Sequence, residues 1–200
     1  HKMFSQLPAE NPEIIRTVCS EKIGEGTYGE VFTCTFRKEL VVKCDKDVDT
    51  KDGIQYSSLR EWVICSTNRH YNLPRAIHVD MNKSRAVYPY YGKQIRKMCS
   101  VTDNEKISIT QQIIRGIAYS HCSLGVMNRD IKTDNILYDQ DTGRCVIIDW
   151  GIGRHCAESA NISGQMYTLW YRPPEVLLGS KRYDFSADIW AVGMVLVEIW

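Results

Sequence analysis

Four polar residues near the middle of the chain carry the chemistry. Asp130 and Lys132 lie two apart in the run Asn128-Arg129-Asp130-Ile131-Lys132-Thr133-Asp134-Asn135, and Asp149-Trp150-Gly151 begins fourteen residues after Asn135. An aspartate can accept a proton from an attacking hydroxyl. A lysine two residues on can steady a phosphate. Asn135 and Asp149 offer oxygens to a hard cation such as Mg2+. A base, a phosphate contact and cation ligands are the parts that phosphoryl transfer needs, a reaction that runs on positioning and charge rather than on covalent steps.

These residues need elements to hold them. Ile136-Leu137-Tyr138 and Cys145-Val146-Ile147-Ile148 read as short strands around the turn Asp141-Thr142-Gly143, which sets Asn135 and Asp149 facing each other across a hairpin. Ile107 to Cys122 reads as a helix with Ile113, Ile114, Ile117, Ala118 and His121 on one face, His121 being a packed or solvated histidine rather than a ligand. The last helix begins near Ala187, capped by Asp184 or Ser186. It is apolar on nearly every side from Ile189 to Trp200, so burial is expected.

The first half reads as strands. Val18 to Ile23 and Val31 to Phe36 flank Gly24-Glu25-Gly26-Thr27-Tyr28-Gly29. A glycine pattern between two strands, rather than between strand and helix, suits a hairpin whose backbone closes over phosphates and not a dinucleotide fingerprint. Leu40-Val41-Val42-Lys43 is a third strand ending in a lysine. Tyr56 to Thr67 reads as a helix with Glu61 midway, either a surface charge or the partner of Lys43. His78 to Met81 and Arg85 to Tyr88 pair around Asn82-Lys83-Ser84, and Pro89 ends the second strand. The boundary between a mainly-strand lobe (17–91) and a mainly-helix lobe (92–200) falls at Pro89-Tyr90-Tyr91-Gly92. Residues 1–16, with Pro8 and Pro12, read as a lead-in.

Composition bounds the partners. Net charge is +1 from 25 basic and 24 acidic residues, which gives no reason to expect nucleic acid or an anionic membrane. The longest near-uniform apolar run, 191–197, falls far short of the roughly 20 residues of a membrane span. Eight cysteines lie scattered with no Cys-x-x-Cys spacing, so a zinc site is not expected. With no export leader in view, they read as free thiols in the cytosol or nucleus.

Assembled in order, these residues resemble the eukaryotic protein kinases over about residues 18 to 200. The glycine loop Gly24 to Val31, Lys43, Glu61, Asn128-Arg129-Asp130, Asn135, Asp149-Trp150-Gly151 and Pro173-Pro174-Glu175 stand in that family's order. The expected fold is α+β and bilobal. Gly24-Glu25-Gly26-Thr27-Tyr28-Gly29 and Thr168-Leu169-Trp170-Tyr171-Arg172 are similar to the cyclin-dependent kinase branch, and Gly53 to Glu61 echoes its cyclin-contacting helix in outline.

The resemblance implies transfer from ATP, with Mg2+, to serine or threonine of protein substrates, and a cyclin-like activating subunit. It implies that Lys43 binds phosphates and pairs with Glu61. Asp130 is the base, Lys132 contacts the γ-phosphate, Thr168 bonds both, and Asn135 and Asp149 ligate magnesium. Gly24, Gly26 and Gly29 cover the phosphates. Ile23, Val31, Val41 and Leu137 enclose adenine beside Tyr88, Pro89 and Tyr91, and Asp188 braces the catalytic loop. Arg60, Arg129 and Arg154 would converge on phosphorylated Ser163, while Thr27 and Tyr28 match positions that accept inhibitory phosphates. A pseudokinase, a nucleotide-binding or scaffolding module without turnover, is the rival reading. A mitogen-activated-type kinase is a second, disfavoured because no Thr-x-Tyr pair occurs in the activation segment.

Departures from the family pattern carry their own expectations. Asn128 replaces histidine, Trp150 phenylalanine, Val41 alanine and Gln94 an acidic residue. An indole N–H at 150 is expected to bind a nearby carbonyl and favour one position of Asp149. The chain reads as a piece of a longer protein, which alone would be poorly soluble and little active.

Overall fold

The computed structural model describes residues 19–26, 29–35, 37–46, 54–156 and 168–200. They form two compact units, one from the residues up to Arg69 with Pro74–Tyr90, the other from His70–Leu73 with Tyr91–Trp200. No helix among the described residues is long and apolar enough to cross a membrane.

The first unit is an antiparallel sheet of five strands in the order β1-β2-β3-β5-β4. The strands are β1 (Cys19–Glu25), β2 (Gly29–Cys34), β3 (Leu40–Asp45), β4 (His78–Asp80) and β5 (Arg85–Pro89). Alternation along β3 decides its two faces. Leu40 and Val42 join Cys34 and Val87 in a buried cluster, with Cys19, Cys44 and Ile77 against it. Val41, Lys43 and Asp45 take the opposite face. Gly29 is required by space, since a Cβ there would lie 2.8 Å from the Cys44 carbonyl oxygen.

Helix α1 (Tyr56–Thr67) belongs to this unit. Its last carbonyls are satisfied by side chains. Asn68, wholly buried, donates its amide to Ile64 O at 3.0 Å and to Pro74 O at 2.8 Å, and Thr67 Oγ1 donates to Val63 O at 2.8 Å.

The second unit is built on α2 (Asp103–Tyr119), which starts four residues before the expected Ile107. A reciprocal cap fixes the start: Thr102 N donates to Glu105 Oε2 at 2.8 Å and Glu105 N to Thr102 Oγ1 at 3.3 Å. The buried face is Ile109, Gln112, Ile113, Gly116 and Ile117. Ile114, expected on it, is half exposed, and Ala118 is exposed as well. The stripe through 109, 113 and 116 is rotated one residue away from them.

A π-helical turn, Ser120–Leu124, follows and ends at Gly125 with φ 66°. Beyond it come β7 (Val126–Met127) paired with β10 (Arg154–His155), and the three-stranded sheet of β6 (Lys93–Gln94), β8 (Ile136–Asp139) and β9 (Arg144–Ile147). Short α3 (Pro174–Leu177) precedes α4 (Phe185–Ile199), which Asp184 caps by accepting from Ser186 N at 2.8 Å.

Burial of α4 on all sides, expected from its composition, is not what the structure has. Ala187, Asp188, Ala191, Val192 and Val195 are buried, whereas Ile189, Trp190, Val197 and Trp200 are exposed. Apolar composition alone does not choose which stripe of a helix meets a neighbour.

Two buried amides bind α2 to the β8–β9 hairpin. Asn72 Nδ2 donates to Gln112 Oε1 and to Cys145 O, both at 2.8 Å. Gln112 accepts from Cys145 N and donates to Gly143 O, again at 2.8 Å. The Asn72 NH2 and both ends of the Gln112 amide are matched in that bridge, which stiffens it.

Candidate active site

In the first unit, β3 carries Lys43 opposite Val31 of β2 and Ala86 of β5. Its ammonium reaches Glu61 Oε2 of α1 at 2.6 Å. Glu61 is 7% exposed, so it is no surface charge. Tyr88 donates its hydroxyl to the other oxygen, Glu61 Oε1, at 3.2 Å. Burial and the nearby Glu61 carboxylate push the Tyr88 phenol well above its ordinary range, so it remains a donor.

The glycine hairpin closes by Gly26 N donating to Gly29 O at 2.8 Å. Gly24 and Val31 are Cα partners across it, and Ile23 is 42% exposed on β1. A charged network spans its strands. Lys22 bonds Glu25 at 2.6 Å and Glu30 at 2.7 Å, and Lys46 bonds the second Glu25 oxygen. These bonds from Lys22 and Lys46 lower the Glu25 carboxyl to about 2. Val41 lies opposite Tyr88, and Pro89 is the last residue of β5, opposite Leu40. Arg60 rests its guanidinium 5.0 Å from the Tyr56 ring centre on α1.

In the second unit, Asp130 is bonded through every acceptor it has. Oδ2 accepts from Lys132 Nζ at 2.6 Å and from Asn135 Nδ2 at 2.9 Å. Oδ1 accepts from Thr168 Oγ1 at 3.0 Å, and the backbone oxygen accepts from Asn135 Nδ2 at 2.8 Å. Lys132 also donates to Thr168 Oγ1 at 3.2 Å. Two turns here enter the left-handed region, one at Arg129 beside Asp130 with φ 72° and one after β9 at Asp149 with φ 61°.

Asp188 holds the first strained turn from α4. Its carboxylate is wholly buried and accepts from Asn128 N at 2.7 Å and Arg129 N at 2.9 Å, with His121 Nε2 at 2.9 Å from one oxygen. His121 is therefore packed and bonded, its ring against that of Phe185.

The β8–β9 hairpin sets the second strained turn. Ile148 N donates to Asn135 O at 2.8 Å, which puts Asn135 and the residue before Asp149 side by side at its open end. Asn128 spans from one acidic residue to the other. Its Oδ1 accepts from Asp130 N at 3.0 Å and its Nδ2 donates to Asp149 O at 3.2 Å. Trp150 is fully buried and its indole N–H donates to Ile147 O at 2.8 Å, the carbonyl contact expected of an indole here. Tyr91 is buried, and Gly92 after it turns at φ 90° against the Tyr138 carbonyl. Leu137 sits on β8 opposite Gln94.

Of the basic residues expected to meet a phosphate, Arg129 and Arg154 lie in this unit and Arg60 in the other. Arg129 donates to Tyr183 Oη at 3.0 Å and Ile152 O at 3.1 Å, and both arginines hold the Tyr183 phenol down against the larger upward push of burial. Thr27, Tyr28 and Ser163 lie outside the described residues.

Several groups in each unit bond to the residues above and carry no signal in the sequence. They are the Tyr88 hydroxyl on Glu61, the Ser58–Asp45 bond beside it, Tyr183, and the set Thr133, Tyr171 and Glu198, which joins the catalytic loop to α4. None has a spacing signal, because each partner is remote in the chain.

The protein kinase domain family matches residues 18–200. The chain belongs to that family. Its antiparallel sheet and largely helical second unit are the α+β arrangement of a kinase domain. The chain is 35% identical over 193 residues to CTD kinase subunit alpha of Schizosaccharomyces pombe, covering 90% of this chain and 32% of the relative. It is also 35% identical over 207 aligned positions to the probable CTD kinase subunit alpha homolog of Encephalitozoon cuniculi, covering 100% of this chain and 60% of the relative. The kinase domain described here thus spans a third to three-fifths of the length of these relatives.

Proposed function

We propose that the chain is the catalytic part of a cyclin-dependent-kinase-like protein kinase that transfers the γ-phosphate of ATP to serine or threonine hydroxyls of proteins. The observation that carries the proposal is the bonding of Asp130. Lys132, Asn135 and Thr168 hold both of its oxygens, so the carboxylate is aimed rather than mobile. In this reading Asp130 accepts the proton of the attacking hydroxyl as its oxygen bonds to phosphorus and the bond to the β-phosphate oxygen breaks. Lys132 meets charge on the γ-phosphate. Lys43, fixed by Glu61, meets the α and β phosphates. Thr168, in the run Thr168-Leu169-Trp170-Tyr171-Arg172, supports serine or threonine as acceptor.

The residues suit magnesium. Among the described residues no group of three or more His, Cys, Asp or Glu gathers as a metal site. Magnesium bound through phosphates needs only one or two protein oxygens. Asn135 commits its NH2 to Asp130, which leaves its amide oxygen as the hard donor, and Asp149 supplies a carboxylate. When bound, the ion neutralises charge on the phosphates.

Both relatives are named as kinase subunits, which supports a second, cyclin-like subunit for this chain and a protein substrate of the kind those kinases take. We assign Ser163 as an activating phosphosite read by Arg60, Arg129 and Arg154, and Thr27 and Tyr28 as inhibitory ones. The eight cysteines are free thiols, in keeping with a cytosolic or nuclear protein.

The test is label transfer from γ-labelled ATP to a mixture of protein acceptors, followed by phosphoamino-acid analysis. Label on serine and threonine, dependent on magnesium, is the expected result. Label on tyrosine alone, or nucleotide binding without transfer, would overturn it, the latter in favour of a pseudokinase.

A further inference from the structure

We propose that Asp45, Ser58 and Tyr88 are positioning residues that latch α1 onto the sheet and so hold Glu61 against Lys43. The inference deepens the kinase reading, naming what controls its lysine.

The latch has two rungs and a brace. Lys43 and Asp45 are two apart on β3 and share a face, while Ser58 and Glu61 are three apart on α1 and share a face. Lys43 bonds Glu61 at 2.6 Å and Ser58 Oγ bonds Asp45 Oδ1 at 2.6 Å. The rungs are separated by about 6.5 Å along the strand and about 4.5 Å along the helix. One bond would leave α1 free to pivot about it; two bonds offset in this way fix its rotation as well as its distance.

Tyr88 is the brace. It lies opposite Val41, on the Lys43 face of the sheet, and its hydroxyl holds Glu61 Oε1 while Lys43 holds Oε2. A carboxylate gripped at both oxygens cannot swing away from the ammonium. The gripping atoms are shielded from water, since Ser58, Glu61 and Tyr88 are each buried. Asp45 is fixed in turn by its own N–H, which donates to Ser84 O at 3.0 Å. The second carboxylate oxygen of Asp45 is buried with no hydrogen-bond partner among the described residues. Such a group is costly to retain, and here its other oxygen anchors the helix.

The test reads Lys43 directly. The chain, with no partner added, is treated with an acetylating activated ester, and the rate at each lysine is followed by mass spectrometry. Exposed Lys93 and Lys97 of the second unit serve as internal references. Wild-type Lys43 is expected to react much more slowly than they do. Ser58→Ala and Tyr88→Phe, both close in shape to the native residues, are each expected to raise the Lys43 rate roughly three- to tenfold, with the reference rates unchanged. Asp45→Asn, which keeps an oxygen for Ser58, is expected to retain the protection that Asp45→Ala loses. Wild-type Lys43 reacting as fast as the references, or no change in Ser58→Ala and Tyr88→Phe, overturns the latch. If Asp45→Ala fails to fold, those two variants decide. Phosphotransfer is measured on the same samples: protection without transfer sinks the kinase reading and leaves the latch, and transfer without protection does the reverse.

Discussion

Replacing Trp150 by phenylalanine removes one hydrogen bond and one ring from the interior beside Asp149. Ile136 and Ile147 are opposed where Ile148 N donates to Asn135 O, so the Ile147 carbonyl turns away from the ladder. The indole N–H at 2.8 Å is the donor it meets there. A buried carbonyl left without its partner costs about 1–3 kcal/mol. The smaller ring empties roughly 40 Å3, worth about 1 kcal/mol at the usual cost of a cavity. Trp150→Phe should therefore destabilise the hairpin and the turn after it by about 2–4 kcal/mol. The assay is amide hydrogen exchange by mass spectrometry, with peptides from 136–150 compared with peptides from 37–45 in the first unit. The first set should exchange faster by about 30-fold or more and the second set should not change. Phosphotransfer should fall as well, because Asp149 at φ 61° loses a neighbour that limits its alternatives. Equal exchange in variant and wild type would show that the indole bond contributes nothing, and the reasoning from burial would be refuted.

Three further outcomes are expected. Gly92→Ala should destabilise the second unit by about 3 kcal/mol or more, since φ is 90° and the new Cβ would stand 2.2 Å from the Tyr138 oxygen; a melting curve like that of wild type would contradict this. Glu25 has a carboxyl lowered to about 2 from 4.5, so its contribution to the hairpin is complete above pH 4.5 and is lost as pH falls from 4.5 through 2. Lys22→Ala should move its NMR titration midpoint back toward 4.5, and an unmoved midpoint would exclude the Lys22 bond as the cause. Ser163→Ala should be less active than wild type after treatment with an activating kinase, and equal activity would rule out Ser163 as the switch.

Much of the site was legible because its residues sit at fixed offsets along local elements. The lysine at 43 follows an apolar strand, and Asn135 and Asp149 bracket a hairpin whose turn is written in Asp141-Thr142-Gly143. Trp150 was legible for a different reason: an indole must place its N–H somewhere. The start of α2 was also written in the sequence, as Thr102 and Glu105, but apolar periodicity alone placed it at Ile107. The same periodicity chose Ile114 and Ala118 where the structure buries Ile109 and Gly116. Gln112 and Asn72 left no trace, because a buried amide and a solvated one look alike in sequence and their partners lie 31 to 73 residues away. The Ser58–Asp45 bond was hidden in the same way, and so was the bond from the Tyr88 hydroxyl to Glu61.

The measurement closest to the central claim is the single-turnover rate of phosphoryl transfer in wild type and in Asp130→Asn. Asparagine keeps the size and one oxygen of the side chain but cannot take a proton. The account predicts a fall of about 100-fold or more in the variant, with ATP binding retained. Equal rates in the two proteins would contradict it.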